Sequence, residues 1–202
     1  MIRMLNWLKC DMYVRRIFSL YKNGGYTTIE LMVGVALVAV LTVMAGPPIA
    51  SMWQDNNLSS TLNEFIGQLN FARIEATLRR QNVVLCVSDS GATCSGSVQW
   101  EQGWMIFTDP DGDRNCADTD SDSRCDADQG LILHAHNGLK NSLTLRSNGS
   151  SPSRVRFDMY GASYGSNRSF MLCDSRGNVA VHSLSLSSTG RIRINKAATC
   201  GL

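Results

Sequence analysis

The chain is organised around Gly25-Tyr26-Thr27-Thr28-Ile29-Glu30-Leu31-Met32, which runs without a break into an apolar segment from Val33 to Gly46. Of the 16 residues at 31–46, 15 are apolar or glycine, and Thr42 can return its hydroxyl to the helix backbone. This composition predicts a membrane helix. The carboxylate of Glu30 near one end needs a cationic partner, because an unpaired charge in hydrocarbon costs several kcal/mol.

The residues on either side of this helix predict the domain organisation. The leader, 1–25, holds five Lys or Arg against one Asp, so it stays cytoplasmic and the rest is translocated to the periplasm. Met12 is an alternative start to Met1 or Met4. We expect a leader at 1–25, a transmembrane helix at 26–46, the amphipathic half of the helix at 47–81 and a periplasmic β domain at 82–202.

The segment after Gly46 predicts an amphipathic helix. Pro47 and Pro48 remove backbone donors and should kink or interrupt the helix there. A stripe of apolar residues then recurs at steps of three and four, which predicts a helix to about Arg80 with one face for a sheet to cover. The stripe consists of Leu58, Leu62, Phe65, Leu69, Ala72 and Ala76. We expect Trp53, Phe65 and Phe71 to pack in the core.

The chain beyond Gln81 changes to short alternating or apolar runs separated by Gly, Ser, Asn and Asp, which predicts antiparallel strands. The predicted strands are 83–88, 98–99, 104–108, 131–136, 143–146, 154–159, 169–173, 179–186 and 191–195. One helix followed by many strands predicts an α+β fold, with a sheet domain packed on the amphipathic half of the helix.

The cysteines predict disulfides. Cys10 lies in the leader, and the remaining six are an even number in a domain sent to an oxidising compartment. Six cysteines allow 15 pairings. Proximity in the sequence favours Cys86 with Cys94, Cys116 with Cys125, and Cys173 with Cys200, and the spacings do not match a zinc site.

The segment from Gly25 to Met32 resembles the class III signal of type IV pilins and type II secretion pseudopilins. The tracts 99–109, Phe170-Met171-Leu172-Cys173 and 188–194 resemble the GspH/FimT branch of that family. The resemblance implies a long bent N-terminal helix packed on an antiparallel β domain. It also implies partners: other pilin subunits, a prepilin peptidase and the inner membrane.

The resemblance further assigns processing and assembly residues. The peptidase cuts after Gly25 and methylates the new N-terminus at Tyr26, where the family usually has Phe. Glu30 then neutralises the N-terminal amine of a neighbouring subunit as helices pack into a filament.

The charges of the β domain are segregated. Eight aspartates fall between Asp109 and Asp128, whereas the residues from Lys140 to Leu202 include nine Lys or Arg against two Asp. A cationic C-terminal third beside an anionic loop indicates a polyanionic partner.

The tract Gly190-Arg191-Ile192-Arg193-Ile194-Asn195-Lys196 alternates, so we expect the two arginines to project from one strand face and the two isoleucines to be buried on the other. Guanidinium groups suit phosphate oxygens. A charged edge strand that resists aggregation is the alternative interpretation. In FimT-like minor pilins, which this tract resembles, Gly-Arg-x-Arg is associated with DNA binding in natural transformation. We therefore assign DNA binding to Arg191, Arg193 and Lys196, with Arg154, Arg156 or Arg168 as the alternative site.

The aspartate-rich loop gives a weak metal motif. Asp109, Asp111 and Asp113 match the start of an EF-hand calcium loop, but Arg114 stands where the motif needs Gly and Asp120 where it needs Glu. This pattern favours a solvated, disulfide-pinned surface loop over a calcium site. His134 and His136 alternate on one predicted strand face, and no third ligand makes them a metal site.

No nucleophile elbow, metal-binding helix motif or phosphate-cradling loop occurs, so we expect neither an enzyme nor a cofactor. The sequence predicts a FimT-like minor type IV pilin that assembles into a pilus and binds DNA. It would be held in the inner membrane by a single pass, with its C-terminal domain in the periplasm. The alternatives are a GspH-like pseudopilin of a type II secretion system and a calcium-dependent adhesin.

Overall fold

The computed structural model describes residues 25–127, 129–140, 142–148, 153–163, 165, 167–177, 181–196 and 200. The chain divides into two compact units, Met1–Ile49 and Ala50–Leu202. The predicted leader lies outside the described residues except for Gly25.

One long helix, α1, spans Thr28–Arg79. It includes Pro47 and Pro48, so the helix is not interrupted there as the sequence predicted. Each proline removes only its own backbone donor, and the neighbouring residues keep the helical conformation. A membrane helix was predicted over 26–46. Among the described residues, no helix is both long and apolar enough to cross a membrane.

In the part of the chain that the structure describes, eight strands follow the helix and confirm the α+β class. They are β1 (Asn82–Val87), β2 (Gly103–Asp109), β3 (Ile132–Asn137), β4 (Thr144–Ser147), β5 (Arg154–Phe157), β6 (Arg168–Cys173), β7 (Val181–Leu186) and β8 (Ile192–Lys196). The strand predicted at 98–99 is wrong: Gln99 makes one isolated bridge to Arg146, and a 3-10 helix, Trp100–Gln102, follows it.

In the part of the chain that the structure describes, the strands form two four-stranded antiparallel sheets, a division that the predicted antiparallel β domain left open. The first sheet has the order β3-β2-β1-β5 and the second β4-β6-β7-β8. Alternation in a sequence places residues on faces but does not say which strands pair, so the division into two sheets was not predictable from it.

The helix and both sheets share one hydrophobic core. All six residues of the predicted helix stripe are buried in it. Phe65 lies at its centre and makes edge-on contacts with Trp100, Trp104 and Phe170, at ring-centroid distances of 4.9–5.6 Å. Edge-to-face aromatic contacts of this kind add to the energy of burial.

Two aromatic residues of the helix were wrongly predicted to be core residues. Trp53 is 69% exposed and Phe71 is 36% exposed. Neither belongs to the apolar stripe that faces the sheets, because the helical period places both on other sides of the helix. A prediction of core residues from hydrophobicity alone therefore included two aromatic residues that the core does not contain.

The three disulfides join the pairs that proximity in the sequence favoured: Cys86–Cys94, Cys116–Cys125 and Cys173–Cys200. The first two lie in a second buried cluster, together with Val84, Met105 and Phe107 of β1 and β2. These three side chains alternate with the residues of β1 and β2 that face the main core. The loops on either side of β2 therefore cover the outer face of the first sheet.

Phe65 should be the most costly helix side chain to truncate. Phe65→Ala should lower the free energy of unfolding by about 3–5 kcal/mol, since it leaves a cavity among three aromatic rings. The matched control on the same helix is Phe71→Ala, where partial exposure limits the loss to roughly 1 kcal/mol. Urea unfolding of the full chain in detergent measures both, and equal losses would contradict the central position of Phe65.

The exported chain should carry three disulfides and no free thiol after the leader is removed. Intact mass after alkylation without reduction should show no added alkyl group, and alkylation after reduction should add six. Peptide mapping without reduction should recover each of the three pairs. A free thiol in the exported chain, or a different pairing, would contradict this arrangement.

Candidate functional site

The residues predicted to carry function lie in three places. The assembly segment is the start of α1, from Tyr26 to Val38. The arginine turn, Ser187–Arg193, consists of the connection from β7 to β8 and the first two residues of β8, and the aspartate loop, Asp109–Asp126, begins at the last residue of β2.

The assembly segment begins with a helix cap that sequence reasoning missed. The Glu30 backbone N–H donates to Thr27 Oγ1 at 3.3 Å. Thr27-x-x-Glu30 is the spacing of a capping box, which could have been found in the sequence. The carboxylate of Glu30 also lies in the first turn, where the helix dipole favours a negative charge. Glu30 makes no ion pair with any described residue.

The rest of the assembly segment exposes apolar side chains on every side of the helix. They are Tyr26, Ile29, Leu31, Met32, Val33, Val35, Leu37 and Val38. A contiguous apolar surface of this kind marks a site that other apolar groups cover.

The arginine turn is held by hydrogen bonds within it and from three other parts of the domain. Inside the turn, the Gly190 N–H donates to the Ser187 carbonyl at 2.9 Å. From outside, the Ser163 N–H donates to the Ser188 carbonyl at 2.8 Å, and the Ser188 N–H donates to Asn167 Oδ1 at 2.7 Å. The third support is Arg73.

Arg73 of α1 donates to the carbonyls of Gly190 at 3.1 Å and Thr189 at 3.5 Å. Gly190 has φ +75°, and a Cβ at this residue would lie 2.2 Å from the carbonyl oxygen of Gly161. Only glycine fits this close approach. The close approach to Gly161 therefore explains why the Gly-Arg-x-Arg tract begins with glycine. Arg73 lies more than 100 residues earlier, and nothing in the sequence indicated that it supports this turn.

Arg191 and Arg193 are both exposed and line a cleft of about 600 Å³. Hydroxyl and amide side chains line the same cleft: Asn148, Asn167, Ser169, Ser185 and Ser187. Neither arginine makes an ion pair with any described residue. The cleft therefore combines two unneutralised guanidinium groups with neutral hydrogen-bonding groups.

The strand that carries these arginines differs from the prediction in detail. Arg191 precedes β8, and β8 is an edge strand of the second sheet. Ile192 is half-buried against the core, but Ile194 is 55% exposed rather than buried. The side chain of Lys196 lies outside the described residues.

Two other basic residues of the C-terminal third are engaged in ion pairs. Arg146 pairs with Glu101 at 2.6 Å, and Arg176 pairs with both Asp174 and Asp55. Ion pairs of this kind neutralise both arginines where they lie.

The alternative cationic site at Arg154, Arg156 and Arg168 is less available. Arg168 is buried, and its guanidinium donates to the Arg154 carbonyl. Burial, with a smaller effect from the charge of Arg114, lowers the pKa of Arg168 to about 10. Arg154 is half-buried and donates to Asn115 Oδ1 at 2.9 Å.

The aspartate loop is pinned by the Cys116–Cys125 disulfide and is mostly exposed, as the sequence predicted, but its first residue is not solvated. Asp109, the last residue of β2, is 0% exposed. Its Oδ1 accepts from the Arg114 N–H at 3.2 Å, whereas its Oδ2 is buried and no described residue donates to it. Burial raises the pKa of Asp109. Carboxylate oxygens of Asp109, Asp111 and Asp113 lie within 4.8 Å of one another.

The two histidines of β3 serve packing. His136 stacks on Trp104 with ring centroids 4.0 Å apart, and its Nε2 lies 3.0 Å from Glu64 Oε1. His134 contacts the edge of Phe71, with ring centroids 6.4 Å apart. Neither belongs to a group of three potential metal ligands among the described residues.

The chain was compared with known proteins. Residues 61–190 match the family model described as type II transport protein GspH. Two solved structures, both crystal forms of the type IV minor pilin FimU of Pseudomonas aeruginosa strain PAO1, are similar to this chain. One is 22% identical with a TM-score of 0.50 and covers 70% of this chain and 90% of its own. The other is 21% identical with a TM-score of 0.48 and covers 68% and 91%.

No curated protein matches the chain. The likeness to the first FimU structure concerns the fold, since the identity is low. The family match spans well over half of the sequence and includes the C-terminal part of the amphipathic helix, strands β1 to β7 and the start of the arginine turn. The chain belongs to the GspH family and has the fold of a type IV minor pilin.

Proposed function

We propose that this chain is a FimT-like minor pilin, which helps a type IV pilus to assemble and binds DNA without sequence preference for uptake in natural transformation. The observation that carries the proposal is the pair of exposed arginines, Arg191 and Arg193, which no carboxylate of the described residues neutralises. A rigid turn beside an open polar cleft presents them.

Binding to DNA phosphates uses accessible cationic side chains together with neutral hydrogen-bonding side chains. Most contacts between proteins and DNA go to phosphate and sugar oxygens, from Arg and Lys and from Ser, Thr and Asn side chains. The cleft offers two guanidinium groups with Ser169, Ser185 and Asn148 around them. Because the turn is already held by Arg73, little backbone conformational entropy is lost when the arginines bind.

The position of the charges supports the same partner. The aspartate loop follows β2 of the first sheet, whereas the arginine turn precedes β8 of the second sheet. The anionic and cationic residues are therefore carried by different sheets. This arrangement allows a polyanion to meet the arginines without meeting the aspartates at the same place.

Assembly is proposed to depend on the segment from Tyr26 to Val38. After cleavage following Gly25 and methylation of Tyr26, the N-terminal amine of one subunit would pair with Glu30 of its neighbour. The exposed apolar side chains of the segment would then be covered by the helices of neighbouring subunits. The prepilin peptidase and the inner membrane are the partners of this step, before the domain from Ala50 onward enters the filament.

A second candidate is a GspH-like minor pseudopilin of a type II secretion system. The description of the matching family favours it, since that family is named for type II transport. The helix and its assembly residues would serve both functions equally. DNA binding separates the two candidates, because a pseudopilin has no need of it.

The charge of Glu30, rather than its part in the helix cap, should decide entry into the filament. Glu30→Gln keeps the length of the side chain and an oxygen for the capping box but removes the charge. We expect the variant to be made and cleaved normally and to be absent from sheared surface filaments. Immunoblots of the sheared fraction and of whole cells measure this.

Thr27→Ala is the matched control for Glu30→Gln. It removes the cap, at a cost of about 1 kcal/mol, and leaves the charge in place. This variant should still enter filaments. Normal levels of the Glu30→Gln protein in the sheared fraction would refute the proposed pair between subunits.

The double variant Arg191→Ala, Arg193→Ala tests the DNA site. If both arginines contact phosphates, the slope of log affinity against log salt should fall by roughly 2, at about 0.9 per contact. The fold should survive, because both side chains are exposed and Ile192 remains in the core. Fluorescence anisotropy with duplex DNA and the full chain in detergent measures the slope.

The control removes the same charge from exposed positions outside the cleft, Arg124→Ala with Lys140→Ala. It should leave most of the slope unchanged. Equal losses in the two double variants would mean that the binding is diffuse. A wild-type chain that does not bind DNA at low salt would favour the secretion pseudopilin.

A further inference from the structure

We propose that Asp109, Asp111 and Asp113 form a binding site for a calcium ion, which fastens the aspartate loop to the end of strand β2. Two independent observations point to it. The three carboxylates converge to within 4.8 Å of one another, and one of them is fully buried with an oxygen that lacks a donor.

The burial of Asp109 distinguishes this group of carboxylates from an ordinary cluster of surface aspartates. Asp109 is 0% exposed, yet only one of its oxygens accepts a hydrogen bond, from the Arg114 N–H at 3.2 Å. No described residue donates to its Oδ2. A buried carboxylate is costly unless it is paired, hydrogen-bonded or bound to a metal, and the first two are incomplete here.

The other two carboxylates increase the need for a cation. Asp111 and Asp113 are exposed, and each accepts one backbone hydrogen bond, from the Asp113 and Asn115 N–H groups respectively. No ion pair among the described residues involves any of the three aspartates. Three like charges so close together repel one another unless a positive ion lies between them.

The second acidic group of the loop has no such need. Asp118 accepts hydrogen bonds from three backbone N–H groups, those of Ser121 at 2.7 Å, Asp122 at 3.2 Å and Ser123 at 3.0 Å. Asp126 accepts from the Thr119 N–H and hydroxyl. Donors from the protein therefore already engage Asp118 and Asp126, the second group holds no buried carboxylate oxygen without a donor among the described residues, and the proposal concerns the first group alone.

The chemistry of the site favours calcium over magnesium. Three carboxylates on a loop offer hard oxygen ligands, and calcium accepts six to eight of these in flexible geometry, whereas magnesium demands a near-ideal octahedron. Backbone carbonyls of the loop and water would supply the remaining ligands.

The site departs from an EF-hand in how its loop turns. Gly112, between Asp111 and Asp113, has φ +83°, and Arg114, at the sixth position, itself has φ +63°, so the loop makes its turn without a glycine there. The Cys116–Cys125 disulfide constrains the loop that follows. The missing glycine of the sequence motif is therefore not a defect of this geometry.

The expected effect of the ion is on the loop rather than on the core. The residues that follow Asp113 include Cys116 and Cys125, which lie in the buried cluster over the outer face of β1 and β2. An ion bound between Asp109 at the end of β2 and two aspartates of the loop would hold the loop that covers this face against the sheet.

Calorimetric titration of the chelator-treated full chain in detergent with calcium chloride tests the proposal. The wild type should bind one ion per chain, and magnesium chloride should bind more weakly. Asp111→Asn and Asp113→Asn should each weaken calcium by about tenfold or more, because affinity depends on the number of charged ligands. The matched control is Asp122→Asn, an exposed aspartate of the same loop outside both acidic groups, which should leave the affinity unchanged.

Asp109→Asn provides a second measurement that separates binding from folding. This variant should lose calcium binding and, without calcium, should unfold at a temperature no lower than that of the wild type, since a buried unpaired charge has been removed. The absence of calcium binding to the wild type at millimolar calcium would overturn the proposal. Equal weakening by Asp122→Asn would also overturn it, because the ions would then be attracted diffusely.

Discussion

The fold depends on one packing constraint: the apolar stripe of α1 has to fill the space between two sheets at once. Phe65 contacts Trp100 and Trp104 beside the first sheet and Phe170 in the second. Neither sheet could bury its inner face without this helix, and the helix could not bury its stripe on one sheet alone. The Arg73 side chain, on the same helix, then reaches the turn before β8. Core packing and the presentation of Arg191 and Arg193 are thus coupled through α1.

The outer face of the first sheet imposes a second constraint. The strands β1 and β2 are buried on both faces, so their outward side chains need a cover that the helix cannot give. The loops before and after β2 provide this cover, and the disulfides Cys86–Cys94 and Cys116–Cys125 hold these loops in place. The same cover buries Asp109 at the end of β2. Asp109 is therefore buried because loops cover this face of the sheet, and the proposed calcium ion would compensate for the cost of burying its carboxylate.

The arginine turn depends both on residues that are adjacent in the sequence and on contacts from distant positions. Gly190 and the two arginines are adjacent in the sequence, and their order alone indicates a strand with two projecting cations. The supports of the turn come from distant positions, Arg73, Ser163 and Asn167. The choice among the basic residues also depends on tertiary structure, since Arg146 and Arg176 are paired and Arg168 is buried.

The sequence by itself determined the α+β class, the buried stripe of α1, all eight strands of the described residues to within two residues at each end and the favoured cysteine pairs, because period and proximity are local properties. The Thr27 cap was readable there as well. Tertiary structure alone decided the division into two sheets, the exposure of Trp53 and Ile194, and the burial of Asp109. Each of these depends on which surfaces meet after the chain folds. An alternating pattern assigns a side chain to a face, but only the neighbour packed on that face determines whether water reaches it.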